Sequence, residues 1–324
     1  MNTIKQLFAL ESKPRRGLLS LDWAVLAYMG FTLLLTLFFS TRLENPDAML
    51  WGRLRIGAMT VALWAAYRLV PCRLTLCVRV VAQMAQLAWW YPDTYEFNRL
   101  LPNLDHVFAT MEQSLFGCQP ALYFANSFPS PVVSELMSLG YAFYYPMIAV
   151  VCFFYFFRRY EEFERCSFIV LASFFLCYVV YLFLPVTGPT FYYKAIGLAN
   201  AAHGVFPHMG DYFATHTDCL PTPGYVDGFF YQLVEDAKAA GERPTAAFPS
   251  SHVAVATVCM LLAGHSRSRR LVLVLAPLYV LLCLSTVYIQ AHYVVDAIAG
   301  LFTGLLLYFG LLFATRRMKA SKKK

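Results

Sequence analysis

The run SFIVLASFFLCYVVYLFLP, from Ser167 to Pro185, decides the fold class because its 19 consecutive residues carry no charge. A helix needs roughly 20 apolar residues to cross a hydrocarbon core of about 30 Å. Similar runs recur along the chain, whose 324 residues are 59% hydrophobic and only 14% charged. This balance is too apolar for a soluble domain of this size and predicts an all-α polytopic integral membrane protein.

Eight membrane-spanning helices are predicted from these apolar runs. Their predicted bounds are 19–40, 56–70, 74–90, 132–157, 167–185, 250–264, 271–291 and 293–315. Five clusters of Lys and Arg fall on one side of this topology, which places both ends of the chain in the cytoplasm. The exceptions are Arg42, Arg53 and Arg55, which fall in the first outer loop. We divide the chain into residues 1–73 with two extra helices, a membrane domain over 74–315, and a basic tail over 316–324.

The charge and the cysteines of the chain exclude some classes of function. The net charge of +7 is spread over loops and the tail, so it predicts membrane topology and no nucleic-acid partner. The nine cysteines include no C-x-x-C pair, although Cys118 and Cys219 would both lie outside, which leaves a disulfide between them open.

Two long segments are predicted on the outer face. Residues 91–131 contain apolar residues at helical spacing, which indicates an amphipathic helix on the membrane surface. These residues are Leu104, Val107, Phe108, Met111 and Leu115. Residues 186–249 are rich in Gly, Pro, Tyr and His and are expected to form a lid or a loop that admits substrate.

The stretch RPTAAFPSSHVAVATV, from Arg243 to Val258, places polar residues at the mouth of the sixth predicted span. Pro249 precedes a helix start in which Ser250 or Ser251 is the N-cap, and His252 lies in the first turn. Free N–H groups and the positive end of the helix dipole make such a terminus a binding site for anions, phosphate above all. Taken alone, the stretch is equally consistent with an ordinary capped helix that carries an interfacial histidine.

A second stretch, STVYIQAHYVVDAIAG from Ser285 to Gly300, lies at the next outward-facing junction. The span that precedes it has the length of a full membrane crossing, so His292 is expected at the same depth as His252. Asp296 follows four residues later, on the same helical face, where its carboxylate could hold Nδ1–H of His292 and leave Nε2 free as a nucleophile. A structural His–Asp pair between two helices is the alternative.

Together, FPSSH and STVYIQAHYVVDAIAG resemble the second and third signature motifs of the type 2 phosphatidic acid phosphatase (PAP2) superfamily, over a six-helix core of roughly 74–315. The resemblance implies that His292 attacks phosphorus to give a phosphohistidine. It further implies that Asp296 orients His292 and that His252 protonates the leaving oxygen.

The departures from the phosphatase pattern point to one branch of that superfamily. Thr286 stands where the phosphatase branch has an arginine, and the nearest match to its first motif, K-x6-R-P, is too short and misplaced. Instead, LPVTGP at 184–189 and AAFPSSH resemble the branch that contains fungal inositol phosphorylceramide synthase and its bacterial relatives.

That resemblance implies a lipid phospho-headgroup transferase at the extracytoplasmic face, expected in a bacterial inner membrane. Its substrate would be a phospholipid or lipid phosphate, with ceramide, diacylglycerol or inositol as further reactants. A lipid phosphate phosphatase is the first alternative. A catalytically silent protein that binds phospholipid is the second. Vanadate haloperoxidases share the motifs, but they are soluble and carry the basic clamp that this chain lacks.

Five further residues are candidates for substrate binding. Ser250 and Ser251 would hold phosphate at the helix start, Arg243 and Lys194 would supply positive charge, and Tyr288 lies one turn before His292. No metal or other cofactor is expected, because the spacing of the histidines between 203 and 216 matches no zinc pattern.

Overall fold

A computed structural model describes residues 3–12, 14–15 and 17–316 of the chain. Apart from one isolated bridge between Leu10 and Cys72, the regular structure in these ranges is helical, as the composition predicts. The predicted basic tail lies outside the described residues except for Arg316.

Sixteen α-helices and one 3₁₀ turn (Tyr212–Ala214) are formed by the described residues. In chain order the helices are α1 (Thr3–Phe8), α2 (Ser20–Phe38), α3 (Pro46–Leu69), α4 (Arg73–Ala85), α5 (Leu87–Asn98), α6 (Asp105–Phe116), α7 (Pro120–Ser127), α8 (Pro131–Ala142), α9 (Tyr144–Arg158), α10 (Tyr160–Phe183), α11 (Pro189–Ile196), α12 (Leu198–Ala202), α13 (Phe229–Gly241), α14 (Ser251–His265), α15 (Arg269–Tyr288) and α16 (Val294–Ala314).

Four helices, α2, α10, α15 and α16, are long and apolar enough to cross a membrane. The predicted span over 132–157 is the pair α8 and α9, which is bent by 49° and makes a fifth crossing if the pair is one span. The other three of the eight predicted spans differ for physical reasons. The helix α3 carries charges at Asp47, Arg53, Arg55 and Arg68, the run over 74–90 breaks between α4 and α5, and α14 has only 15 residues.

The helix α10 is the centre of the bundle, with neighbours on most of its surface. Beside it, α14 packs against α9, α10, α15 and α16. The approach of α16 to α14 is close because two glycines face it: a Cβ at Gly300 would lie 2.6 Å from the carbonyl oxygen of Ser250, and one at Gly304 would lie 2.5 Å from that of Ala254. Small residues at this spacing allow two membrane helices to touch backbone to backbone.

The N-terminal helices are joined to the rest of the bundle by buried ion pairs. Asp22 on α2 pairs with Arg79 on α4, and Arg53 on α3 lies 2.8 Å from Asp93 on α5. The prediction that Arg53 lies in an outer loop is therefore wrong, because α3 begins at Pro46 and buries this side chain against its counter-ion. Arg53 does not follow the tendency of basic residues to lie on the cytoplasmic side, and its charge is neutralised by Asp93 inside the protein.

The two predicted outer segments are largely helical. The predicted surface helix is α6, which exposes Val107, Met111 and Leu115 and buries Asp105 and Glu112 on its other face. Residues 186–249 fold into α11, α12, the 3₁₀ turn and α13. Cys118 and Cys219 are both free thiols, so the disulfide that the sequence left open is not formed.

Candidate active site

Three chain segments meet where α10 ends, α14 begins and α15 gives way to α16. Backbone hydrogen bonds join them: the N–H of Ala247 donates to the carbonyl of Val186 at 3.0 Å, and the N–H of Thr190 donates to that of Gln290 at 2.8 Å. Gly188 allows this meeting, since it has a φ of 89° and a Cβ there would lie 2.6 Å from the carbonyl oxygen of Ala291. The three segments therefore form one rigid unit.

His292 is held in this unit by a backbone carbonyl. Its side chain is buried, and Nδ1 lies 2.8 Å from the carbonyl oxygen of Ala247, to which Nδ1–H donates. This hydrogen bond fixes the tautomer and leaves a lone pair on Nε2, as a nucleophile requires. The predicted partner, Asp296, lies 3.7 Å from Nδ1, which is outside hydrogen-bond distance, so the predicted hydrogen bond between the two side chains is wrong.

Asp296 instead organises the start of α16. Its Oδ2 accepts the N–H of Tyr293 at 2.9 Å, and its carbonyl oxygen accepts the N–H of Ser250 at 3.1 Å. Among the described residues, Oδ1 has no hydrogen-bond partner. The residue therefore joins α14 to α16, and its carboxylate is close enough to His292 to stabilise an imidazolium.

His252 lies directly beside the nucleophilic nitrogen. Its Nδ1 is 3.4 Å from Nε2 of His292, and since that nitrogen is an acceptor, His252 Nδ1–H is the donor. The ring of His252 packs against Tyr141 at 4.7 Å and Tyr144 at 4.4 Å between ring centroids. These two tyrosines flank the bend between α8 and α9, so His252 faces the break in that helix pair. The prediction that the two histidines share a depth is confirmed.

The start of α14 offers one backbone donor to an anion. The hydroxyl of Ser250 caps the helix by accepting the N–H of Val253, and the N–H of Ser251 donates to the hydroxyl of Tyr181 at 2.9 Å. Within the part of the chain that the structure describes, the N–H of His252 has no acceptor. Of the N–H groups of Ser251, His252 and Val253, only that of His252 can therefore donate to a bound anion at this helix start.

Two buried carboxylates of α6 support the site, and the sequence analysis missed both. Asp105 accepts the N–H groups of Thr187 at 2.7 Å and Gly188 at 2.9 Å, and also the hydroxyl of Tyr293 at 3.2 Å. Glu112 accepts the N–H of Val294 at 3.0 Å. Burial raises the pKa of Glu112 to about 7, and the N–H of Val294 opposes that shift. Asp105 and Glu112 lie seven residues apart, on one face of α6, and this spacing was the only signal of them in the sequence.

The two predicted cations, Lys194 and Arg243, line one cavity. Lys194 and Arg243 are exposed on the wall of a cavity of about 560 Å³, where Lys238, Glu235 and Glu242 also lie. Lys238 is occupied, since it donates to the carbonyl of Leu220 at 2.9 Å and pairs with Glu235. Neither histidine lines the cavity itself, but the charge of Glu242 reaches His292 and raises its pKa. The cavity is linked to the His292 segment through Phe191 on its wall, because the neighbouring Thr190 donates its N–H to the carbonyl of Gln290.

Burial has the larger effect on His292. It lowers the pKa of the imidazole from 6.5 to about 4, which the hydrogen bond to Ala247 and the charge of Glu242 only partly oppose. At neutral pH the ring is therefore uncharged and able to attack.

Tyr288 and Thr286, which the sequence analysis singled out, are both buried and do not line this cavity. The hydroxyl of Tyr288 donates to the carbonyl of Phe128 at 3.3 Å, and the contact of Tyr288 with substrate remains a prediction. Thr286 donates its hydroxyl to the carbonyl of Cys283, and its own carbonyl accepts the N–H of His292 at 3.0 Å. An arginine at position 286 would not fit this enclosed place.

Among the residues that the structure describes, no three His, Cys, Asp or Glu side chains are grouped as metal ligands.

The family of the chain follows from comparison with known proteins. A model of the PAP2 superfamily matches residues 106–310, which is more than half of the chain. Among solved structures, the chain is similar to the crystal structure of the first transmembrane PAP2 type phosphatidylglycerolphosphate phosphatase from Bacillus subtilis. That similarity has a TM-score of 0.38 and 16% identity, and covers 66% of this chain and 94% of the other. A comparison with curated protein sequences gives no match.

Proposed function

Because the chain belongs to the PAP2 superfamily, and is thus an integral membrane enzyme of the lipid phosphatase or phosphotransferase type, we propose that it transfers a phospho-headgroup between lipids through a phosphohistidine. The observation that carries the proposal is the geometry of His292. Its Nδ1–H is fixed on a carbonyl, its Nε2 carries the lone pair that would attack, and His252 lies 3.4 Å from that nitrogen.

The first step breaks the bond between phosphorus and the oxygen of the lipid alcohol. Nε2 of His292 attacks phosphorus, and His252, once protonated, gives its proton to the departing oxygen. The contact between the two histidines must open for phosphate to enter between them. The N–H of His252 and the charges of Arg243 and Lys194 stabilise the negative charge on the phosphate oxygens in the transition state. They take the part of the arginine that the phosphatase branch has at the position of Thr286.

The second step returns His292 to its starting state. An acceptor hydroxyl attacks the phosphohistidine, His252 takes the proton of that hydroxyl, and the bond between phosphorus and nitrogen breaks. With a lipid alcohol as acceptor the product is a new phospholipid, and with water it is a free phosphate compound. Placing one oxygen in line at about 3 to 3.5 Å from phosphorus can outweigh the high concentration of water.

Transfer is favoured over hydrolysis by the cavity beside the site. Its cations and carboxylates, Arg243, Lys194 and Glu242, suit a headgroup that carries both phosphate and hydroxyl groups, such as phosphoinositol. The break between α8 and α9 beside His252 suits a lipid that arrives sideways from the bilayer. The basic clusters at the other end of the helices support a reaction at the extracytoplasmic face, and the resemblance to bacterial relatives of the synthase branch supports a bacterial inner membrane.

Product analysis of the purified protein tests this proposal. In detergent with headgroup-labelled phosphatidylinositol, added ceramide should move the label into a new phospholipid, and acid-labile label should appear on the protein when acceptor is omitted. His292→Ala should abolish both signals, whereas His203→Ala, in an exposed position, should leave them unchanged.

Two results would count against the proposal. Release of a water-soluble phosphate compound at the same rate with or without ceramide, and with no new phospholipid, would make the protein a phosphatase. Near-normal turnover by His292→Ala would remove the phosphohistidine from the mechanism.

A further inference from the structure

A second cavity, of about 1060 Å³, lies at the end of the bundle opposite to the two histidines. It is formed where α9 ends and α10 begins, at the turn between α14 and α15, and beside the first residue of α4. The catalytic histidines lie at the other ends of α14 and α15. The proposed chemistry uses no residue of this cavity.

Arginine dominates the charge of this cavity. Four arginines line it, Arg73, Arg158, Arg159 and Arg270, together with two glutamates, Glu161 and Glu162.

Two of the arginines are occupied by the protein and two are free. Arg159 donates to the carbonyl of Ser266 at 2.8 Å and pairs with Glu162, and Arg73 lies over the ring of Tyr160 at 4.3 Å. Within the described ranges, Arg158 and Arg270 are exposed and have no hydrogen-bond or ion-pair partner. Arg270 also lies in the first turn of α15, where the helix dipole adds positive potential.

The wall of the cavity on its membrane side is apolar. Phe154 and Phe157 precede Arg158 on α9, and Leu271 and Val274 follow Arg270 on α15. Phe157 is 57% exposed and lines the cavity, so it offers apolar surface to a ligand there. A ligand that fills this space must carry an anionic group beside the arginines and an apolar part along the phenylalanines.

We propose that this cavity binds the phosphate of an anionic phospholipid from the leaflet opposite to the catalytic site. The headgroup phosphate lies between Arg158 and Arg270, and an acyl chain runs along Phe154 and Phe157. A zwitterionic lipid is a poorer ligand, because its ammonium group would be brought toward the same arginines. The proposal does not rest on the catalytic function, since no reacting group is involved.

Lipid titration followed by native mass spectrometry tests the site. The full-length protein, delipidated in a neutral detergent, is titrated with phosphatidylglycerol, with phosphatidylcholine of the same acyl chains, and with inorganic phosphate. We expect the wild type to bind one equivalent of phosphatidylglycerol. The double variant Arg158→Gln, Arg270→Gln should bind this equivalent about tenfold or more weakly, because each basic residue near a membrane surface contributes to holding an anionic lipid.

The matched control is Arg42→Gln with Arg55→Gln, which removes two exposed arginines, one before α3 and one in the first half of α3, and should leave this equivalent unchanged. Equal binding of phosphatidylcholine, an undiminished equivalent in the Arg158 and Arg270 variant, or the same loss in the control would overturn the proposal. Saturation of the site by inorganic phosphate at the concentration that suffices for the lipid would identify a soluble anion and would also overturn it.

Discussion

His292 is kept neutral by its surroundings and not by a charged partner. Only 4% of this residue is exposed, and burial lowers its pKa from 6.5 to about 4. Because the protonated ring has no lone pair on Nε2, attack on phosphorus is lost only when the pH falls through that pKa. A free histidine would already lose half of its nucleophilic form near pH 6.5.

The pH dependence of the first step follows from this shift. We expect the acid limb of kcat/KM, where Nε2 of His292 becomes protonated, to be centred near pH 4 and not near 6.5. Steady-state rates on a lipid phosphodiester between pH 3.5 and 8, corrected for protein that unfolds in acid, measure the limb. An acid limb centred near pH 6.5 would show that His292 is exposed to water in the working enzyme.

The surface helix α6 connects two of the three segments that form the site. Asp105 at its start holds Thr187 and Gly188 of the LPVTGP loop, and it also accepts the hydroxyl of Tyr293. A single carboxylate thus fixes the loop after α10 and the residue that follows His292. A neutral amide has only one oxygen for these donors, and its NH₂ group would face the same N–H groups.

Asp105→Asn should therefore loosen the site without unfolding the bundle. We expect kcat to fall on the order of 10²-fold, since displacements of about 1 Å can have that effect, while KM changes little. Steady-state kinetics of the purified variant, with Asp227→Asn as an exposed control, measure kcat and KM separately. A variant with normal kcat would show that the loop keeps its place without the carboxylate.

The sequence predicted the parts of the site that lie at helix starts and helix junctions and missed those that depend on a contact between distant segments. FPSSH and the junction around His292 were predicted, because capping residues and apolar runs define helix starts locally. The acceptor for His292 is the carbonyl of Ala247, and no side-chain pattern identifies a backbone group 45 residues away. Asp105 was missed because an acid on an amphipathic surface helix is usually solvated.

The number of membrane spans shows the same limit. The long helices α10, α15 and α16 each contain an apolar stretch long enough to cross a membrane, so the sequence predicted these three spans. The helix α3 was cut short in the prediction at its arginines, yet Arg53 is buried there because Asp93 neutralises it. A hydropathy window counts a charge without its partner, and the partner lies on another helix.

The N-terminal helices and the catalytic part of the molecule form one packed body. The helix α2 packs against α10, and near the end of α10 the hydroxyl of Tyr181 donates to the carbonyl of Pro249 at 2.7 Å, next to the start of α14. The boundary predicted between residues 73 and 74 remains a prediction. The buried pair of Asp22 and Arg79 crosses it, and both side chains are 0% exposed.

This pair should make the stability of the whole bundle depend on a residue far from the site. Asp22→Asn keeps an oxygen for the N–H of Leu19 but leaves the charge of Arg79 buried without its counter-ion. Removing one partner of a buried ion pair typically costs about 3 to 5 kcal/mol, whereas removing both charges is often nearly neutral. We therefore expect Asp22→Asn to lower the thermal unfolding midpoint strongly, and Asp22→Asn with Arg79→Leu to recover most of the loss.

Thermal unfolding in detergent, with Asp47→Asn as an exposed control, compares the variants. If the double variant were as unstable as Asp22→Asn alone, packing around Arg79, and not its unpaired charge, would be what ties the N-terminal helices to the catalytic part.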